Sequence, residues 1–205
     1  MLHVDNVSFR YPNRPWLFRN LSLTIDKGEI VGMYGKSGIG KSTLAKIIAG
    51  YIKPLQGEIR ICNNKLTGEK IYPVQLIWQH AELVINPSWQ MKKILAESPY
   101  LSEEMLSRLG IQSSWLSKYP HELSGGELQR FNIARALGTD APFYIADEIT
   151  SMFDAISQAQ IWHSLLQEVE QQQKGMLVIS HNQKLLEKIC HRIVHFSDLA
   201  MADRD

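Results

Sequence analysis

The sequence predicts an α/β domain with a largely parallel sheet, and three observations predict it. Apolar runs of strand length alternate with helix-periodic stretches along most of the chain, the pattern that lays helices over a parallel sheet. One such run, EIVGMY at 29–34, feeds straight into a glycine loop, GKSGIGKST at 35–43, which opens a helix. From about 85 to 137 the strand signal stops, and helical segments broken by Pro99 and Pro120 read as a mainly helical insertion.

Residues 2–10 alternate as a strand does, and Pro12, Asn13 and Pro15 end that pattern. Leu21, Leu23 and Ile25 alternate again before a Lys27–Gly28 turn. KSTLAKIIAG places Leu44, Ile47 and Ile48 on one helical face, with Gly50 as its C-cap. GEIRI (57–61) reads as a short strand, NNKLTGEK (63–70) as an exposed turn, and VQLIW (74–78) as a strand ending at Gln79. APFYIADE (141–148) is a buried strand with acids at its carboxyl end. Trp162, Leu165, Leu166 and Val169 follow the i, i+3, i+4, i+7 rule, with Gly175 as the cap. GMLVIS (175–180) adds a strand, a helix follows near 182–190, and RIVHF (192–196) closes the series.

The bulk composition fits one compact domain: 205 residues, 44% hydrophobic and 21% charged, with a formal net charge of +1. A near-neutral chain with a pI of about 7.8 gives no electrostatic case for nucleic acid or an anionic membrane. Cys62 and Cys190 are far apart and in no metal-like spacing, which points to a reducing compartment without a disulfide framework. MLHVDNVSFRYP alternates and turns too early for a signal peptide, and no apolar run approaches the roughly 18 residues of a membrane span. Service to a membrane process is expected from the cytosol, through a partner.

Gly35, four residues, then Gly40-Lys41-Ser42 matches the P-loop pattern in its proper strand-to-helix setting. Glycines let backbone N–H groups turn toward phosphate oxygens at a helix N-terminus. Lys41 supplies charge to the β- and γ-phosphates, and the Ser42 hydroxyl is placed to ligate Mg²⁺. The guanine-reading Asn-Lys-x-Asp is absent; Asn64-Lys65-Leu66-Thr67 lacks the acid, which disfavours GTP. Asp147 and Glu148 end an apolar strand, so their side chains face opposite ways. Asp147 is assigned to the metal shell and Glu148 to the attacking water. Gln79 and His181 each follow a strand, where open α/β sheets bind ligands. The Gln79 amide can donate to water and accept from Mg²⁺, and His181 can reach a γ-phosphate. His191 and His195, with Cys190 nearby, flank a strand and do not share a helix face.

A second glycine pair needs its own explanation. Ser124, Gly125, Gly126 and Glu127 form an S-x-x-E capping box that opens a helix with Leu128, Phe131, Ala134 and Leu137 on one stripe. Two glycines in a first helical turn cost stability, and they make sense where something must approach the backbone closely.

LSGGELQR (123–130) resembles the signature motif of ABC-type ATPases, and the family's other motifs follow in order. The resemblance makes Gly35, Lys36, Ser37, Gly38, Ile39, Gly40, Lys41, Ser42 and Thr43 the Walker A loop and Gln79 the Q-loop. It makes Phe143 to Asp147 the Walker B strand, Glu148 the catalytic base, Ser151 to Asp154 the D-loop and His181 the switch histidine. Tyr11 is similar to the aromatic that stacks on adenine, with Trp16 and Phe18 as rivals. The family fold implied is a single nucleotide-binding domain over 1–205, with a mainly parallel core sheet, an antiparallel N-terminal β-subdomain and a helical subdomain at about 85–137. Also implied are ATP and Mg²⁺, with Ser42, Gln79 and Asp147 at the metal, and a head-to-tail dimer. In that dimer Ser124, Gly125, Gly126, Glu127 and Asp154 help complete the partner's site.

A finer resemblance, carried by QHAELVINPSW, DEITS and LQRFNIARAL, is to the peptide, nickel and metal–metallophore importer branch. It implies transmembrane permease subunits, a second ATP-binding subunit that is a copy or a paralogue, and indirectly an extracytoplasmic solute-binding protein. Nucleic acid is not among the implied partners, and the place of work is the cytoplasmic membrane face. The chain departs from the branch at His80, where an aspartate is common, in the bulky D-loop Ser-Met-Phe-Asp, and in ending soon after the last strand. The rival readings are a soluble ABC ATPase acting on ribosome or DNA and a regulatory module that holds ATP without turnover. A single cassette argues against the first, and intact Lys41, Asp147, Glu148 and His181 against the second.

Overall fold

The computed structural model describes residues 1–62, 64–65 and 73–199, which divide by internal packing into two compact units. The turn expected over 63–70 lies outside the described residues apart from Asn64–Lys65.

The first unit comprises Met1–Leu76, Ala141–Asp147 and the chain from Gln173 on. β1 (Leu2–Phe9) pairs antiparallel with β2 (Phe18–Ile25) and with β4 (Gln56–Ile61), and β5 (Asn64–Lys65) extends the sheet to the order β2-β1-β4-β5. The alternation of β1 breaks once: Asn6 takes φ 49° where the register shifts between Val4 and Val7, so Leu2, Val4, Val7 and Phe9 are all buried.

The second sheet has the order β6-β7-β8-β3-β9, from β6 (Val74–Ile77), β7 (Phe143–Asp147), β8 (Gly175–Ser180), β3 (Ile30–Tyr34) and β9 (Arg192–His195). Its β7–β8, β8–β3 and β3–β9 pairs are parallel. Every residue of β7 and β8 is buried, which is why these strands read as continuous apolar runs and not as alternations. α1 (Lys41–Ile48) follows β3 and buries Leu44, Ile47 and Ile48. It ends in a Schellman motif: Gly50 at φ 77° donates to Ile47 O, and Tyr51 N donates to Lys46 O. α6 (Gln183–Ile189) and α7 (Phe196–Leu199) complete the unit, so the last predicted strand stops one residue short, at His195.

Gly175 has a different job from the one expected. It is the first residue of β8, where a Cβ would run into the Phe143 ring and Asp26 O. The preceding helix ends earlier, at Gln171, and Gln173 takes the left-handed turn at φ 50°.

The second unit comprises Ile77–Asp140 and Glu148–Gln172. It carries α2 (Met91–Leu95), α3 (Glu103–Arg108), α4 (Gly125–Leu137) and α5 (Ala155–Gln171), with single 3₁₀ turns at Ala81–Leu83, Ser113–Trp115 and Pro120–Glu122. Caps fix the starts: Ser102 accepts from Met105 N, Ser124 from Glu127 N, and Asp154 from both Ile156 N and Ser157 N. α5 buries Trp162, Leu165 and Val169 of its expected stripe, while Leu166 is only half-buried and Ile161 joins the core instead. α4 buries Leu128, Phe131, Ala134 and Leu137 as its periodicity requires. Among the described residues no helix is long and apolar enough to cross a membrane.

Candidate active site

In the first unit the site grows from the carboxyl ends of three adjacent parallel strands. Tyr34 at the end of β3 pairs with Ser180 at the end of β8, and Asp147 at the end of β7 pairs with Ile179. The sheet thereby sets the start of the glycine loop, the Asp147 carboxylate and the Ser180–His181 step along one edge.

The loop itself is shaped by backbone that only glycine tolerates well. Gly38 and Gly40 have φ 81° and 112°, and a Cβ on Gly40 would lie 2.8 Å from Leu17 Cγ. Lys36, Ser37 and Gly38 are exposed, while Ile39 turns inward toward Gly35. Lys41 is only 5% exposed. Its Nζ donates to Gly35 O and Lys36 O, each at 2.8 Å, so the loop carbonyls wrap the ammonium. Ser42 is exposed on the first turn of α1, which has no acidic residue and no side-chain cap to compete for an anion.

The three candidate aromatics separate clearly. Phe18 is buried against Phe196 and the Gly40 backbone. The Trp16 ring carries the guanidinium groups of Arg10 and Arg19, with centroid distances of 5.0 and 5.3 Å. Tyr11 is 43% exposed and is steadied by an edge contact with Phe9 and a 3.1 Å hydrogen bond between its hydroxyl and Thr43 Oγ1. Of the three, Tyr11 alone combines an exposed ring with a tie to α1.

The histidines near Cys190 serve the sheet. His191 Nδ1 accepts from Ile30 N at 2.9 Å, and the His195 ring meets Tyr34 edge-on. Burial pushes the Cys190 thiol up to about 12, and its Sγ faces Gly32. His181 is exposed at the end of β8, one residue before Asn182, which caps α6.

In the second unit the Glu148 backbone sits in the left-handed region at φ 48°, rare for a side chain of its size. Gln79 Nε2 lies 3.4 Å from Glu148 Oε2, so two residues 69 positions apart in sequence meet. Two residues on, buried Thr150 receives hydrogen bonds from Gln158 Nε2 and Trp162 Nε1 of α5, at 2.8 and 3.2 Å. Asp154, the α5 cap, has its pKa below the usual aspartate range because the Ser157 N–H donates to it.

The signature turn is a complete capping box. Ser124 N donates to Glu127 Oε2 at 2.7 Å and Glu127 N to Ser124 Oγ at 3.3 Å. The first of these bonds holds the Glu127 carboxyl below its ordinary value. It also commits the Ser124 amide, so an incoming anion would meet the glycine amides and the serine hydroxyl. A Cβ on Gly125 would lie 3.1 Å from Met152 Sδ, and Gly126 faces the Phe153 ring, over which Arg130 also stands at 5.2 Å. The D-loop side chains thus press on both glycines.

Sequence reasoning missed a polar face on α4. Gln129 and Asn132, 0% and 1% exposed, both donate to Trp78 O, at 2.8 and 3.0 Å. Arg135 donates to Val84 O at 3.0 Å. The available signal was the i, i+3, i+6 spacing of three polar residues beside an apolar stripe.

A glycine loop between strand and helix, a buried lysine folded into it, and an acid at the end of a nearby parallel strand define a P-loop nucleoside triphosphatase. The sequence profile described as ABC transporter matches residues 18–151, and the chain belongs to that family as an ABC-type ATPase. It is 33% identical to the nickel import system ATP-binding protein NikE of Staphylococcus aureus (strain bovine RF122 / ET3-1), across 99% of this chain and 89% of the relative. Among solved structures it resembles the dimeric post-hydrolysis ATP-binding cassette MJ0796 bound to ADP and Pi, with TM-score 0.83 and 26% identity over 95% of this chain and 94% of that one. An ATP-binding subunit of an ABC transporter gives TM-score 0.82 at 25% identity, covering 95% and 85%.

Proposed function

We propose that this chain is the ATP-hydrolysing subunit of an importer that drives uptake of nickel, a peptide or a metal-chelate complex through transmembrane partners at the cytoplasmic membrane face. The observation that carries the transport reading is the 33% identity to a nickel import ATP-binding protein across nearly the whole chain. The site chemistry supports the ATPase half of the reading residue by residue.

Adenine stacks on Tyr11, whose hydroxyl bond to Thr43 ties the base platform to the first turn of α1. The amides from Gly35 to Thr43 receive the phosphates, and Lys41 exchanges its two loop carbonyls for phosphate oxygens. Ser42 and Asp147 offer a hydroxyl and a carboxylate, a hard oxygen pair suited to Mg²⁺, with Gln79 as the amide ligand; Mg²⁺ supplies charge neutralisation at the phosphates. Glu148 accepts the proton of the attacking water, which the Gln79 amide helps to orient, and His181 contacts the γ-phosphate. Ser124 and the Gly125 and Gly126 amides close over the nucleotide of a second ATP-binding subunit, with Glu127 and Asp154 holding the two turns in shape.

Reconstitution of the chain with its permease partners in vesicles tests the reading. Nickel, a short peptide or a nickel chelate on the substrate side is expected to raise ATP turnover and to accumulate inside. Turnover indifferent to all three would remove the importer assignment and leave the ATPase one standing.

A further inference from the structure

The polar face of α4 grips one short stretch of main chain. Gln129, Asn132 and Arg135 are spaced three apart, and all three reach carbonyls between Trp78 and Val84. Two of the three bonds converge on a single oxygen, Trp78 O, which saturates both lone pairs of a carbonyl with amides that are themselves buried. The residue after that carbonyl is Gln79, whose amide meets Glu148. The helix that supplies the grip begins at Gly125, directly after Ser124. Hydrogen bonds from fixed side chains constrain direction as well as distance, unlike apolar packing, which slides. The turn at 124–126 and the backbone at 78–79 are therefore joined by one rigid helix of 13 residues.

We propose that Gln129, Asn132 and Arg135 are positioning residues through which the signature turn sets the approach of Gln79 to Glu148. A shift of α4 when Ser124–Gly126 engages a phosphate carries the Trp78 carbonyl with it, and the Gln79 amide follows. Water orientation at Glu148 then depends on whether the far end of α4 is occupied. The inference rests on the roles proposed above for Gln79 and for the signature turn.

A double-mutant cycle in the full-length chain, with its companion subunits, tests it. Asn132→Leu and Gln129→Met keep the shape of each side chain and remove its donor. Either is expected to lower the ATPase kcat about tenfold, the equivalent of one buried hydrogen bond, with binding of a fluorescent ADP analogue unchanged. In a Gln79→Ala background the same changes are expected to cause no further loss, because they act through that amide. Asn132→Ala, which leaves the Gln129 bond in place, is the milder arm should the isosteric variants fold poorly, and it must show the same dependence on Gln79. Equal fold-losses in both backgrounds, or an unchanged kcat, would overturn the proposal and reduce the three residues to packing. Full activity in Gln79→Ala alone would instead sink the role of Gln79, and the inference with it.

Discussion

Thr150 offers the most direct check on how the site is held. Its hydroxyl receives two donors from α5, and both Thr150 and the donor Trp162 are buried, at 5% and 4% exposure. Thr150→Val keeps the shape and deletes the acceptor. Trp162 Nε1 then has no water to turn to, and an orphaned buried donor costs about 1–3 kcal/mol. The Gln158 amide is half-buried and partly resolvates, which costs about 0.5–1.5 kcal/mol more. The expected loss is therefore about 1.5–4.5 kcal/mol. Thr150→Ser keeps the acceptor and removes one methyl group, worth about 1 kcal/mol. Urea denaturation followed by tryptophan fluorescence reads both variants, and Trp162 itself reports on the affected contact. Turnover is expected to fall in the valine variant and hold in the serine one, because Thr150 anchors the chain just beyond Glu148. A valine variant as stable as the serine variant would refute the claim that these two bonds fix the loop.

Glu148→Gln is expected to keep ATP binding and ATP-dependent association with the companion subunit while turnover falls at least a hundredfold, since a positioned base contributes about 10²–10⁴; turnover assays with light scattering check it, and near-normal hydrolysis would remove Glu148 as the base. Lys41→Ala is expected to weaken nucleotide binding in calorimetry without unfolding the loop, because the lost partners of Gly35 O and Lys36 O face a partly exposed loop that water can serve. The Glu29 carboxyl is pushed up by burial, the largest single influence, yet lies below the ordinary value of 4.5 because Arg192 and the Asp26 N–H donate to it and the Arg192 and His191 charges attract it. Its stabilisation is thus present above that ordinary value and lost as pH falls through the lowered one, so Glu29→Gln is expected to flatten the acid limb of a stability–pH curve below about pH 4.5. Cys62 is exposed, while the Cys190 thiol is pushed up to about 12 by burial; iodoacetamide is expected to label Cys62 alone until denaturant is added, as intact-mass spectra would show.

The glycine loop was legible because its demands are local. Positive φ at Gly38 and Gly40 and the strand-to-helix setting leave few residue choices. β7 and β8 were legible for the same kind of reason, since strands buried on both faces must be apolar throughout. Gly175 was misread because its constraint is tertiary: the Phe143 ring, 32 positions away in sequence, occupies the place of a Cβ. The choice among Tyr11, Trp16 and Phe18 also depends on distant partners, namely Thr43 for the first, the Arg10 and Arg19 pair for the second and Phe196 for the third. Gln129 and Asn132 could be seen as polar residues on a helix, but not as two donors to one carbonyl more than fifty residues upstream. Local chemistry is written in the sequence at the position where it acts; the destination of a long polar side chain is not.

That distinction bears on how Glu148 can work. Its left-handed backbone costs about 1–2 kcal/mol over an ordinary conformation. Such a conformation persists only if its neighbours leave no alternative. Asp147 is the buried last residue of β7, Ile149 is buried, and Thr150 is bonded twice to α5. The backbone of Glu148 is thereby held between the last residue of β7 and a segment, Ile149 and Thr150, to which no step of the chemistry is assigned. The partner amide of Gln79 is held differently, through a carbonyl that α4 carries. Of the two groups that meet across 3.4 Å, one is set by the strand and loop and the other by the signature helix. Under the roles proposed above, Glu148 is a fixed base and Gln79 a partner group whose position follows the far end of α4, which is the arrangement that would let hydrolysis wait for a second subunit.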